Sequence, residues 1–482
     1  MHNIPIRRLT ARLIIPAMFI CGMKLHGGEI AAKVYYIPNE KTDQINADPV
    51  LPYQRPDDQV AVPFGVITVD TSKRFQTLSG VGAAFSEIGS LALLTLAPEQ
   101  QKTLIASLFM DDQGAGFTLC RLPVAANDFA TSAYSYAEVP DDFEMESFSL
   151  ARDRKSIIPV AKAALAENPK LQFHASPWSP PGWMKTTGTM DKGGKANHLR
   201  DEAAIYQAYA LYFEKYLAGY REEGISIDRL CPQNEVDMSP GYPGCVMPPE
   251  QMVKLVAQYL VPHFQANKVP VEIWAGTFRE KPEAPWAEDC LKDDRFLAGI
   301  AGLGVQYFNA DSIAGLASRY PQLRFMHTEA NCDNGMNTPE QARKRFWEIS
   351  STLNSGCENY TYWNMILDEN QVSGWKWKQN SLVTIDRSKR EVRYNPDYQP
   401  VALVSRFFRP GDARVQASFA AAPGSGFQSP CTALIRPDGT IVIMAQNTEN
   451  KVSAMTLSLD ENKLEVALPP HADCLIVCRK NQ

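Results

Sequence analysis

Glu235 closes the run IDRLCPQNE and Glu329 closes RFMHTE, and a loop rich in Gly, Pro or Asn follows each. Two carboxyls brought face to face can cleave a glycosidic bond. One protonates the leaving oxygen and the other attacks the anomeric carbon, and retention of configuration needs them about 5–5.5 Å apart. The ends of the other short β-type runs supply the company this chemistry requires: Glu87, Arg121, Ser176 to Trp178, Asn234, Phe308 with Asn309, and Trp363 with Asn364. Amides and an arginine bind hydroxyls, and flat indoles pack on sugar rings. The segment SPWSPPGWMKT adds three prolines that stiffen a loop carrying Trp178 and Trp183.

These residues can meet only if the chain brings the ends of its strands together. Eight β-type runs occur in the middle of the sequence, at 78–87, 116–123, 171–176, 227–235, 271–276, 303–309, 324–329 and 358–364. Amphipathic stretches such as PEQQKTLIASLFM, KSIIPVAKAALAE and TPEQARKRFWEISSTLN alternate with them. Proline followed by glutamate is a good first turn of a helix. Eight alternating units predict an α/β fold, a closed (β/α)8 TIM barrel, in preference to an open doubly wound sheet. In such barrels the site gathers at the carboxyl ends of the strands.

Both ends of the chain read differently. Residues 33–75 and 401–482 carry short β-type stretches between polar loops, with Asp438-Gly439 marking a hairpin. They predict one β-sandwich side domain assembled from both termini, around a barrel over 76–400. Residues 1–32 read as a signal peptide: Arg7, Arg8 and Arg12, an apolar run from Leu13 to Met23, then small residues. Cleavage is expected between Gly28 and Ala32, giving a secreted or periplasmic protein. Cys21 raises lipid anchoring, but Phe19 and Ile20 are bulkier than residues that usually precede a lipidated cysteine.

Composition narrows the partners. Of 482 residues, 45% are hydrophobic and 21% charged, ordinary for a folded protein. The net charge of −6 and the lack of a Lys/Arg run argue against nucleic acid. No later stretch is long and apolar enough for an integral membrane span. The ten cysteines lack zinc-ligand spacing, so no metal is expected, and buried free thiols fit at least as well as a few disulfides. Cys474 and Cys478 share one predicted strand, about 13 Å apart, too far to pair. GxSxG and HExxH are absent, and GVGAAF lacks the third glycine of a dinucleotide turn. No cofactor is expected, and the oligomeric state is left open.

Over residues 60 to 480 the sequence resembles glycoside hydrolase family 30, the group of glucosylceramidases and endo-β-1,6-glucanases. SGVGAAFSE is similar to the family's first-strand motif, and RLPVAANDF to its Arg-Val-Pro…Asp-Phe segment. SPWSPPGWMKT, PQNEVDMSPGYPGC, HTEANCDNG, YTYWNMILDENQVSGW and FFRPGDARV follow in the family's order. The resemblance implies Glu235 as acid/base and Glu329 as nucleophile. It implies Arg121, Asp128, Trp178, Asn234, Tyr242, Trp363 and Asn364 as substrate-binding. The implied substrate is a β-linked glycoside or glycan, glucosylceramide-like or β-1,6-glucan ahead of β-xyloside or β-fucoside. A non-catalytic carbohydrate-binding barrel is the alternative. Two departures matter: Val236 stands where the family commonly has proline, and Gln306-Tyr307-Phe308 stands where many members read His-Trp-Tyr. Phe308 cannot donate the family's hydrogen bond to the nucleophile, so Tyr307 or His327 has to.

Overall fold

The computed structural model describes residues 30–38, 46–57, 59–111, 113–279, 285–308 and 310–480. Its centre is a barrel of eight parallel strands: β1 Gly80–Ala84, β2 Leu119–Val124, β3 Gln172–Pro177, β4 Arg229–Leu230, β5 Glu272–Arg279, β6 Gly302–Gln306, β7 Arg324–His327 and β8 Asn359–Asn364. The hydrogen-bonded order runs β7-β6-β5-β4-β3-β2-β1-β8. Each expected run holds a strand. The seam between β7 and β8 is thin, with a bridge from Phe325 to Cys357. There the Asn359 side chain stands in for a backbone rung, accepting from His327 N and donating to His327 O, both at 2.8 Å.

The helices start where the sequence says they should. Pro339–Ser355 opens with proline behind Thr338, whose hydroxyl accepts from Gln341 N while the Gln341 side chain returns the bond. Such a cap stabilises a helix by ~1 kcal/mol. Gly356 ends it at φ +115°, a conformation that L side chains rarely adopt.

The side domain is a nine-stranded sheet wrapped over its own core of Phe64, Ile67, Val69, Ile443, Leu457 and Ile476. Both termini build it. Strand Ile30–Pro38 pairs antiparallel with Ala472–Lys480, and Val62–Thr77 lies between Ala413–Ala421 and Ser453–Leu459. The Asp438-Gly439 hairpin forms, joining Ala433–Ile435 to Ile441–Asn447, with Gly439 at φ +82°. Helix Tyr398–Phe407 rests on the barrel, its Ser405 hydroxyl 3.4 Å from Val81 O.

Residues 1–29 of the proposed leader, with Cys21, lie outside the described residues. The first described strand begins at Ile30, inside the expected cleavage window. Among the described residues the cysteines are free, and Cys474 and Cys478 do share one strand. No helix among them is long and apolar enough to cross a membrane.

Candidate active site

Strand β4 is regular for only two residues, so Glu235 sits past its end, where the sequence placed it on the strand. The chain still follows its neighbours: Cys231 N bonds to Ala175 O at 2.8 Å and Asn234 N to Pro177 O at 2.8 Å. Glu235 itself takes φ +43°, left-handed for a side chain with a Cβ. That conformation costs on the order of 1 kcal/mol and persists because its neighbours hold it. Thr277 does so here, its hydroxyl accepting from Glu235 N at 3.1 Å. Across the barrel, Glu329 lies two residues beyond β7, after Thr328 N bonds to Val305 O at 3.0 Å.

Arg121 at the middle of β2 links the two sides. It is fully buried, and its guanidinium reaches Glu329 Oε2 at 2.7 Å, Asn234 Oδ1 at 2.7 Å, Ser176 Oγ at 2.6 Å and Thr328 O at 3.1 Å. Its plane also covers the indoles of Trp178 and Trp363, at 4.5 and 5.3 Å from the ring centres. Those indoles stack on each other with centres 4.9 Å apart. At that separation no sugar ring fits between them.

The two glutamates have different surroundings. Burial, and then the charge of Glu329, push Glu235 up to about 7. Burial raises Glu329 as well, and Arg121 and Tyr307 offset only part of that, so it too stands above its ordinary value. Gln306 Nε2 donates to Glu235 Oε1 at 2.9 Å, and the Tyr242 hydroxyl lies 3.3 Å from Oε2. Asp128 is buried near both glutamates, and burial followed by their charges raises it well above the usual carboxylate range. Its Oδ1 has no partner among the described residues. Asn364 likewise leaves its Oδ1 unpaired while its amide donates to Gln379 Oε1 at 2.9 Å. A buried acceptor without a donor is what a ligand hydroxyl satisfies.

The structure thus gathers Arg121, Asp128, Trp178, Asn234, Glu235, Tyr242, Glu329, Trp363 and Asn364 at one end of the barrel. Glu87 does not join them. It begins helix Glu87–Leu94 and spends its carboxylate on Arg152 and Thr131. Trp183 packs edge-on against Phe143, ring centres 5.6 Å apart, and gives its N–H to Ala137 O at 2.9 Å. Asn309 lies outside the described residues. Between the two candidates for the bond to Glu329, Tyr307 provides it at 3.3 Å. His327 is occupied, accepting from Thr361 N and stacked on Tyr360.

Sequence reasoning passed over Gln306, Thr277, Arg279 and Trp377. The run read as 271–276 continues to Arg279 through an irregularity at Gly276, where φ is +103°. That shift brings Thr277 beneath Asn234 and Arg279 within 3.9 Å of Glu235 Oε1. Gly276, closing that β-type run just before Thr277 and Phe278, was the available signal, since a glycine within a strand often marks a bulge. Trp377 packs against Tyr242 with ring centres 4.6 Å apart, forming a side wall.

A TIM barrel with two carboxylates, unpaired acceptors and two indoles at its carboxyl end has the architecture of a glycoside hydrolase. Residues 78–408 match the glycosyl hydrolase family 30 TIM-barrel domain, and the chain belongs to that family. It is 28% identical over 439 residues to the putative glucosylceramidase 3 of Caenorhabditis elegans, covering 86% of this chain and 82% of that one. It is 26% identical over 399 residues to an endo-1,6-β-D-glucanase of Neurospora crassa, with 79% and 81% covered. Among solved structures, the endo-β1,6-glucanase BT3312 superposes with a TM-score of 0.79 over 92% of this chain and 98% of that one, at 23% identity.

Proposed function

We propose that this glycoside hydrolase is an exported, retaining β-glycosidase acting on β-glucosidic bonds, of the kind in glucosylceramide or β-1,6-glucan. The observation that carries the reading is the unequal environment of the two carboxyls. Glu235 is pushed up to about 7 by burial and by Glu329, whereas the ion pair with Arg121 at 2.7 Å favours the ionised form of Glu329. Glu235 gives its proton to the leaving oxygen while Glu329 attacks the anomeric carbon. Glu235, now ionised, takes a proton from the water that releases the sugar with its configuration kept. Asp128, Asn234 and Asn364 hold hydroxyls, with Trp178 and Trp363 alongside. The glucosylceramidase and β-1,6-glucanase relatives support β-glucosides as substrates.

The test is hydrolysis of an aryl β-glucoside and of β-1,6-glucan by wild type, Glu329→Gln and Glu235→Gln, with the first-formed anomer read by NMR. Loss of ~10²-fold or more in both variants and an initial β-anomer are expected. An initial α-anomer, or activity that survives both substitutions, overturns the mechanism; failure on both substrates overturns the sugar assignment.

A further inference from the structure

We propose that Gln306 is a positioning residue for Glu235 and that, together with Arg279, it confines the catalytic proton to Oε2. The inference rests on Glu235 being the acid. Oε1 of Glu235 faces groups that only donate: Gln306 Nε2 at 2.9 Å and the Arg279 guanidinium at 3.9 Å. A proton placed on Oε1 would meet their hydrogens. Oε2 faces the Tyr242 hydroxyl at 3.3 Å, which can donate or accept and therefore tolerates a proton there.

The orientation of the Gln306 amide is set at its other end. Its carbonyl oxygen lies 3.3 Å from Thr277 Oγ1 and 3.4 Å from Thr328 Oγ1. Thr277 Oγ1 already accepts from Glu235 N, so its own hydrogen turns toward the oxygens of Asn234, at 3.0 Å, and Gln306. Arg279 has no acceptor atom, so the polarity at Oε1 does not depend on the amide alone. Gln306 is fully buried, and no bulk water can replace its donor.

The consequence lies in the bond-breaking step. The Oε2–H bond breaks as the proton joins the glycosidic oxygen, the C1–O electrons pass to that oxygen, and a Glu329 oxygen bonds to C1. Glu235 is left as a carboxylate whose charge Gln306 and Arg279 receive on Oε1. The charged and titratable groups facing Glu235 are Arg279 from β5, Glu329 beyond β7, Tyr307 beyond β6, Asp128 beyond β2, and Asp237 and Tyr242 from its own loop. Gln306 is a donor among them that does not titrate, so its removal weakens the acid without removing a charge.

The experiment measures kcat/KM, which reports glycosylation, for a β-glycoside series running from dinitrophenyl to alkyl leaving groups. Wild type, Gln306→Met, Gln306→Leu, Gln306→His and Glu235→Ala are compared. In Gln306→Met and Gln306→Leu the loss on the alkyl glycoside should exceed the loss on the dinitrophenyl glycoside by ~10-fold or more, because only poor leaving groups need the acid. Gln306→His, which restores an N–H, should recover most of that difference. Hydrolysis of the dinitrophenyl glycoside shows that each variant folds, and whichever of the Met and Leu variants folds carries the test. An equal loss on all substrates, or no recovery with histidine, overturns the proposal. If Glu235→Ala itself shows no leaving-group dependence, the assignment of Glu235 as acid falls instead.

Discussion

The Tyr307 hydroxyl lies 3.3 Å from Glu329 Oε1, on a residue whose backbone takes φ +59°. That turn directs the phenol back over the barrel mouth although Tyr307 sits just past the end of β6. Its bond favours the ionised carboxylate and lowers Glu329 against the upward push of burial. In Tyr307→Phe that downward pull is gone, so the acid limb of kcat/KM should move to higher pH. A pH–rate profile checks this, with ~10-fold lower kcat/KM at the acid side. An unmoved limb would remove Tyr307 from the site.

Glu235 predicts how stability and activity both depend on pH. Its folded value, about 7, is above the usual carboxyl value of 4.5. A carboxyl raised in this way stabilises the fold fully below its unfolded pKa, and that contribution is lost as pH rises through the folded one. Glu235→Gln has no such proton to lose. Relative to wild type it should gain up to about 3 kcal/mol between pH 4 and 8, seen as a Tm difference that grows with pH. Wild-type kcat/KM should decline above pH 7 for the same reason.

Arg121 is an ion-pair partner and a brace at once. Removing it leaves Glu329 buried without its charge partner, which costs ~3–5 kcal/mol, so Arg121→Ala should be marked by a large fall in the denaturation midpoint. Arg121→Lys keeps a charge but cannot span Glu329, Asn234 and Ser176 together. It should stay folded and lose ~10²-fold in kcat/KM through misplacement of the carboxylate.

Farther from the chemistry, Asp153 gathers three phenols: Tyr134 at 2.7 Å, Tyr136 at 2.5 Å and Tyr220 at 2.5 Å. Tyr136 also accepts from Ala125 N at 2.7 Å, where the chain turns at φ +65° toward Asp128. Tyr136→Phe strands that buried N–H, for a loss of ~1–3 kcal/mol. Because Asp128 is then less well held, KM should rise more than kcat falls. Chemical denaturation with steady-state kinetics separates the two effects.

Much of this was legible in residue order. The alternation of eight β-type runs with amphipathic helices pointed to a parallel sheet, and the count of eight favoured a closed barrel over an open doubly wound one. Glu235, Glu329, Arg121 and Asn234 could be chosen because a barrel places strand ends at one mouth. Asp438-Gly439 set its hairpin by local backbone preference alone.

What the sequence could not settle depends on backbone irregularities that have no periodic signature. The bulge at Gly276 decides that Thr277 and Arg279 enter the site, and the left-handed turns at Glu235 and Tyr307 decide which atoms their side chains meet. Trp178 and Trp363 could be named from the sequence, but that they stack on each other beside Arg121 follows only from the fold. Glu87 had the right type and place but faces Arg152. Residue type and strand order determined that Arg121, Asn234, Glu235 and Glu329 reach the barrel mouth. Close packing and the pairing of buried charges such as Arg121 with Glu329, which act only once distant segments meet, decided what each group does there.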